Sequence, residues 1–182
     1  ANVTHNKCWV VLVDDEESIR LSVGDFLYDE GFQVTACDSA ASLLQLMAKR
    51  STASATLPDV IVSDIRMPGM DGIELLGLLR ADPRYQRLPV VLLTAKAMTT
   101  DRITGFEAGA DAYLPKPFHP DELTSILDNI ITRRQQIKQA RSSLADLKEE
   151  MNTIKNIMKQ NSANTVKQTN VYLTNAERDV LE

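Results

Sequence analysis

Short β-branched runs alternate with amphipathic stretches through the first 120 residues. Val10-Val11-Leu12-Val13 is a continuous apolar run closed by Asp14 and Asp15, as expected of a strand buried on both faces. From Ser18 to Tyr28, Ile19, Val23, Phe26 and Leu27 fall at helical spacing, and Gly31 stops the pattern. Gln33 to Cys37 reads as a second strand, and Leu43, Leu44 and Met47 mark a second helix before a Ser/Thr/Ala-rich loop over Arg50 to Pro58. Val60-Ile61-Val62 forms a third strand, and Ile73, Leu75, Leu76 and Leu79 a third helix, capped by Asp71 with Glu74 three residues on. Val90 to Leu93 is a fourth strand, Ile103 to Ala108 a fourth helix and Ala112 to Leu114 a short fifth strand. A fifth helix starts at Pro120, a residue suited to a first turn. Buried strands alternating with helices predict an α/β domain: a parallel sheet covered on both faces.

From Leu123 the period changes to seven. The a positions are Leu123, Ile130, Ile137, Leu144, Met151 and Met158, all apolar; the d positions are Ile126, Arg133, Ala140, Leu147, Ile154 and Asn161, four of six apolar. Neither Pro nor Gly interrupts Asp121 to Gln160. The pattern predicts a fifth helix extended over 121–160 into a coiled-coil dimerisation helix, with Ile130, Ile137, Leu144, Leu147, Met151, Ile154 and Met158 in the seam. In a parallel dimer Glu150 and Lys155 fall at positions suited to an interhelical ion pair, and Arg133 is a weak point. The alternative is a helix folded back on its own domain. Residues 161–172 are polar and read as a linker; Thr174 and Glu177 then form a capping box that opens a new helix over 173–182.

Composition narrows the function classes. No apolar run approaches the ~20 residues of a membrane span, and the N-terminus lacks a secretory pattern, so a cytoplasmic protein without membrane contact is expected. Cys8 and Cys37 lie in apolar stretches without metal-ligand spacing and read as reduced core thiols. Net charge is −5 and uneven: residues 1–120 hold 11 basic and 16 acidic residues, whereas 133–160 hold 7 basic and 3 acidic. The acidic front half disfavours nucleic-acid binding there.

The candidate chemistry sits at the carboxyl ends of the strands, where open α/β sheets bind ligands. Asp14 and Asp15 end the first strand, Asp64 the third and Thr94 the fourth; Lys116 follows the fifth. Converging carboxylates repel unless a cation lies between them, and a hard divalent ion, Mg²⁺ by preference, suits an all-oxygen site. With the Lys116 ammonium and the Thr94 hydroxyl, this is a cradle for a transferring phosphoryl group, with Asp64 as nucleophile.

These motifs carry a resemblance to the receiver domains of two-component response regulators, the family typified by CheY. The matching pieces are Val13-Asp14-Asp15-Glu16, Asp64 with Met67-Pro68-Gly69-Met70-Asp71-Gly72, Thr94-Ala95, Gly109-Ala110-Asp111-Ala112-Tyr113 and Lys116-Pro117-Phe118, over about residues 7–132. The resemblance implies a flavodoxin-like doubly wound five-stranded parallel sheet of order 2-1-3-4-5. It also implies that Asp64 accepts a phosphoryl group from a sensor histidine kinase. Asp15, Asp64 and the backbone carbonyl of Arg66 would then bind Mg²⁺, with Asp14 acting largely through water. Lys116 would pair with the phosphoryl group, Thr94 and Tyr113 would form the switch, and the Lys116–Pro117 bond would be cis. Arg66 and Lys96 occupy positions that influence phosphoryl lifetime in the family.

Leu173 to Glu182 resembles the opening of a LuxR/NarL-type helix-turn-helix domain. The expectation is a receiver over 1–120 that controls transcription, with DNA contacted only through an output domain whose recognition helix is absent from this chain. The chain is not expected to be an enzyme beyond its own aspartyl phosphorylation and dephosphorylation. Two alternatives compete with this reading. One is a receiver whose coiled coil acts through protein partners alone. The other is a phosphatase of the haloacid-dehalogenase kind, which fits worse because Ile65 and Arg66 follow Asp64 where that family places Asp-x-Asp. The plastid stroma is the alternative compartment.

Overall fold

The computed structural model describes residues 8–50, 56–95 and 99–179, without the side chains of 99–102, 169–171 and 173–179. The elements run β1 (Trp9–Val13), α1 (Glu17–Asp29), β2 (Gln33–Cys37), α2 (Ala40–Arg50), β3 (Val60–Asp64), α3 (Gly72–Ala81), β4 (Val90–Thr94), α4 (Thr99–Glu107), β5 (Ala112–Pro115) and α5 (Pro120–Asp179). The five strands form one parallel sheet in the order β2-β1-β3-β4-β5. β1, β3 and β4 are buried along their whole length, which explains their uninterrupted apolar sequences.

Alternate strand residues feed two cores. Val11, Val13 and Ile61 pack with Leu43 and Met47 of α2 and Leu75, Leu76 and Leu79 of α3. Val10, Leu12, Val62 and Leu93 pack on the other face with Leu27 of α1 and Leu123, Leu127 and Ile131 of α5. Cys8 and Cys37 are buried free thiols, and burial raises the pKa of both. Arg80 fixes the far edge by donating to the carbonyls of Leu88 and Gly109 and to Asp111.

Three expectations change. The compact unit that holds the sheet extends to Arg133, not to residue 120, because Leu123, Leu127 and Ile131 complete its core. Ile130, expected in a dimer seam, is half-buried against that same core. The linker expected over 161–172 is helical, since α5 continues to Asp179. Its polar residues are accommodated there: the Ser162 and Thr165 hydroxyls donate to the carbonyls one turn back, at Met158 and Asn161. The second unit, Arg134–Glu182, is described only as this helix. No new helix opens at Thr174 as expected, because α5 runs through it unbroken; the Thr174 and Glu177 side chains lie outside the described residues.

Candidate functional site

The site is built where β1 and β3 end. Asp14 continues β1 by donating its amide to the Cys37 carbonyl, and its side chain is fully buried. Its Oδ1 accepts the Glu16 amide at 2.9 Å, which turns the chain into α1 and leaves Asp15 exposed at the surface. Arg20, one turn into α1, donates to the carbonyls of Asp14 (2.8 Å) and Asp15 (3.0 Å) and so holds the acidic pair in place. Arg20 is not among the residues that the sequence singles out.

Asp64 is the last residue of β3 and only 5% exposed. α3 is pressed against its backbone. Gly72 opens that helix and donates to the Ile65 carbonyl at 2.8 Å. Asp71 caps α3 as expected, accepting the amides of Ile73 and Glu74, while Glu74 accepts the Asp71 amide. A Cβ on Gly72 would collide with the Asp64 carbonyl and sit 2.9 Å from the Ile65 Cα. Gly72→Ala should therefore destabilise the fold by about 1–3 kcal/mol and displace Asp64. Chemical denaturation checks this, and an unchanged midpoint would show that α3 has room to shift.

Lys116 closes the site from the β5 side, after a backbone bond to the Thr94 carbonyl. Its Nζ lies 2.7 Å from Asp14 Oδ2 and 3.5 Å from Asp64 Oδ2. The Lys116–Pro117 peptide is cis, as expected. Burial raises the pKa of Asp64; Lys116 opposes this, and the like charge of Asp14 adds to it. Burial alone would lower Lys116, yet its bond to Asp14 and the two carboxylate charges raise it above the ordinary lysine value. At neutral pH the site therefore holds a firmly protonated ammonium beside crowded carboxylates.

One carboxylate oxygen from each of Asp14, Asp15 and Asp64 lies within 4.8 Å of the other two. Asp64 Oδ1 is buried and has no hydrogen-bond partner among the described residues. An acidic cluster with an unmatched inward oxygen fits a hard divalent cation, which satisfies the orphan acceptor and relieves the repulsion. Thr94 is buried at the end of β4. Tyr113 on β5 is half-buried, and its hydroxyl is buried without a partner among the described residues. Arg66 is exposed on the loop after β3; Lys96 lies outside the described residues.

Residues 10–128 match the response regulator receiver domain. The chain belongs to that family. It is 43% identical over 152 residues to response regulator Rre1 of Synechocystis, spanning 83% of this chain and 63% of that relative. It is 35% identical over 172 residues to the "Probable transcriptional regulator ycf29" of Porphyra purpurea, spanning 94% and 72%. The chemotaxis protein CheY4 of Vibrio cholerae superposes with a TM-score of 0.62 at 31% identity, over 68% of this chain and 98% of that one. The matched span includes Asp14, Asp15, Asp64 and Lys116. Among the described residues no helix is long and apolar enough to cross a membrane.

Proposed function

We propose that this receiver takes a phosphoryl group onto Asp64 from a sensor histidine kinase and passes the change to a transcriptional output. The observation that carries the reading is the buried, unmatched Asp64 Oδ1 beside Asp14, Asp15 and Lys116. An Asp64 oxygen attacks phosphorus, the phosphohistidine P–N bond breaks, and its electron pair leaves on the imidazole nitrogen, which solvent protonates. Asp15, Asp64 and the Arg66 carbonyl would hold Mg²⁺, with Asp14 acting through water, and the bound ion would supply charge neutralisation. Lys116 pairs with the phosphoryl oxygens. In this reading the chain catalyses its own aspartyl phosphorylation and dephosphorylation. An apolar groove beside Lys116, lined by Ile19, Val23, Phe26, Phe118 and Leu123, offers the donor a surface to dock on.

Replacing Asp15 by Ala removes a surface ligand without touching the core. Divalent-ion affinity should fall at least about tenfold in a calorimetric titration. Unchanged affinity would take Asp15 out of the ligand set.

The switch reading places Thr94 and Tyr113 in sequence. Phosphorylated Asp64 draws the Thr94 hydroxyl inward, and Tyr113, whose ring lies 6.3 Å from that of Phe106 on α4, turns towards the space released. Its unmatched hydroxyl supports a second position where a partner is found. Thr94→Ala should still accept phosphoryl yet lose the conformational response. Amide exchange over α4 and β5 checks this, and a full response in the variant would break the coupling.

The output is proposed in two parts. The exposed apolar side chains of α5 beyond Arg134 form a parallel coiled-coil homodimer, with Glu150 pairing to Lys155 of the second copy. DNA recognition belongs to an output domain, a reading supported by the resemblance at 173–182 and by a relative named as a transcriptional regulator.

A further inference from the structure

We propose that the basic face of α5 between Lys138 and Lys159 binds the phosphate backbone of duplex DNA, independently of sequence. This goes beyond the output-domain reading and does not rest on Asp64 chemistry.

Lys138, Arg141, Lys148, Lys155 and Lys159 are all exposed and fall at b and e positions of the heptad, on a single stripe about 32 Å long. Asp146, Glu149 and Glu150 fall at c, f and g, off that stripe. None of the five basic residues has an acidic neighbour three or four positions away, and none makes an ion pair among the described residues. Lys138 and Arg141 instead sit three apart, and Lys155 and Lys159 four apart, spacings at which like charges destabilise an isolated helix. A face that serves solubility alone gains from interspersed Glu, which this one lacks. Dimerisation leaves the surplus in place: the g positions are Gln136, Ser143, Glu150 and Ile157, so Arg141 and Lys148 find no acid across the seam.

The chemistry of the stripe selects the ligand. It carries no aromatic residue on which a base would stack and no large apolar side chain to anchor an acidic protein. Flexible ammonium and guanidinium groups in a line suit a ligand whose charge repeats evenly along its length, and duplex DNA carries one charge per about 1.7 Å.

The test uses the whole chain and a labelled duplex of arbitrary sequence, about 30 base pairs long, followed by anisotropy. Binding should weaken at least a hundredfold between about 50 and about 200 mM salt. Arg141→Gln with Lys148→Gln should lower affinity roughly tenfold and flatten the logarithmic salt slope by about two. Lys49→Gln with Arg87→Gln, the same charge change on the receiver, should leave both nearly unchanged. Helicity and sedimentation of each variant confirm that the helix and its assembly persist. Asp64→Asn should bind as wild type does, which separates this inference from the phosphoryl reading. No binding at about 50 mM salt, equal losses in the two double variants, or full affinity in the stripe variant would each overturn it.

Discussion

Replacing Asp64 by Asn should reduce phosphoryl uptake from acetyl phosphate to background and, at neutral pH, make the fold more stable. The first half follows from chemistry: the amide is a poor nucleophile, and among the described carboxylates Asp64 alone combines a buried unmatched oxygen with proximity to Lys116. The second half follows from electrostatics. Burial raises the Asp64 pKa, and Asp14 raises it further against the opposing pull of Lys116. The folded protein therefore holds this proton more tightly than the unfolded chain. The associated stability is complete below the ordinary aspartate range and is lost as pH rises through the raised value. Ionised Asp64 is thus a cost at neutral pH, and Asn removes it. Removing half of a buried ion pair usually destabilises, but Lys116 keeps its closer partner, Asp14, at 2.7 Å against 3.5 Å for Asp64. Melting temperature should rise at neutral pH without divalent ions, and the gain should shrink in acid. Undiminished labelling of the variant would remove Asp64 from its role. A lower melting temperature would show that the Lys116–Asp64 attraction outweighs the burial of charge.

The parts of the fold legible in sequence are those where one physical cause dominates. β1, β3 and β4 are buried on both faces, so their apolar runs are unbroken and end sharply at Asp14, Asp64 and Thr94. The same rule located the site, because side chains at those strand ends converge. α4 was legible only in its second half: Thr99 to Arg102 carries no apolar residue, so periodicity first appears at Ile103. Arg20 escaped because it acts through backbone carbonyls, which leave no pattern of residue types. Where the fifth helix leaves the receiver is less legible, for a subtler reason. Leu123 and Ile130 satisfy a heptad, but Leu123, Leu127 and Ile131 also form the four-residue stripe of a helix on a sheet, and that packing claims them. A period alone does not say which partner takes the face. At 161–172 the opposite holds: the polar composition suggests a linker, yet no Pro or Gly enforces a break and the helix continues.

Within α5, Leu144→Asp combined with Leu147→Asp should convert a dimer into folded monomers that still accept phosphoryl. Within this second unit every described side chain from 135 to 168 is exposed. Ile137, Leu144, Leu147, Met151, Ile154 and Met158 are each between 48% and 64% exposed, all at a or d positions. An exposed Leu or Ile forgoes roughly 1.5–3 kcal/mol of burial, so six on one seam outweigh the ordering cost of a moderate-affinity pair. Arg133 and Asn161 put polar groups at d on either side, which makes Ile137 to Ile154 the firm segment. Two carboxylates at its centre replace apolar contact with buried charge and repulsion across the seam, and a loss of at least about a hundredfold in dimer affinity is expected. Both positions lie outside the compact unit that ends at Arg133, so the acidic cluster and Lys116 are untouched. Sedimentation equilibrium with phosphoryl labelling of the same samples decides the matter. A wild-type chain that stays monomeric at high micromolar concentration would end the coiled-coil reading, and a dimer that survives both substitutions would move the interface elsewhere.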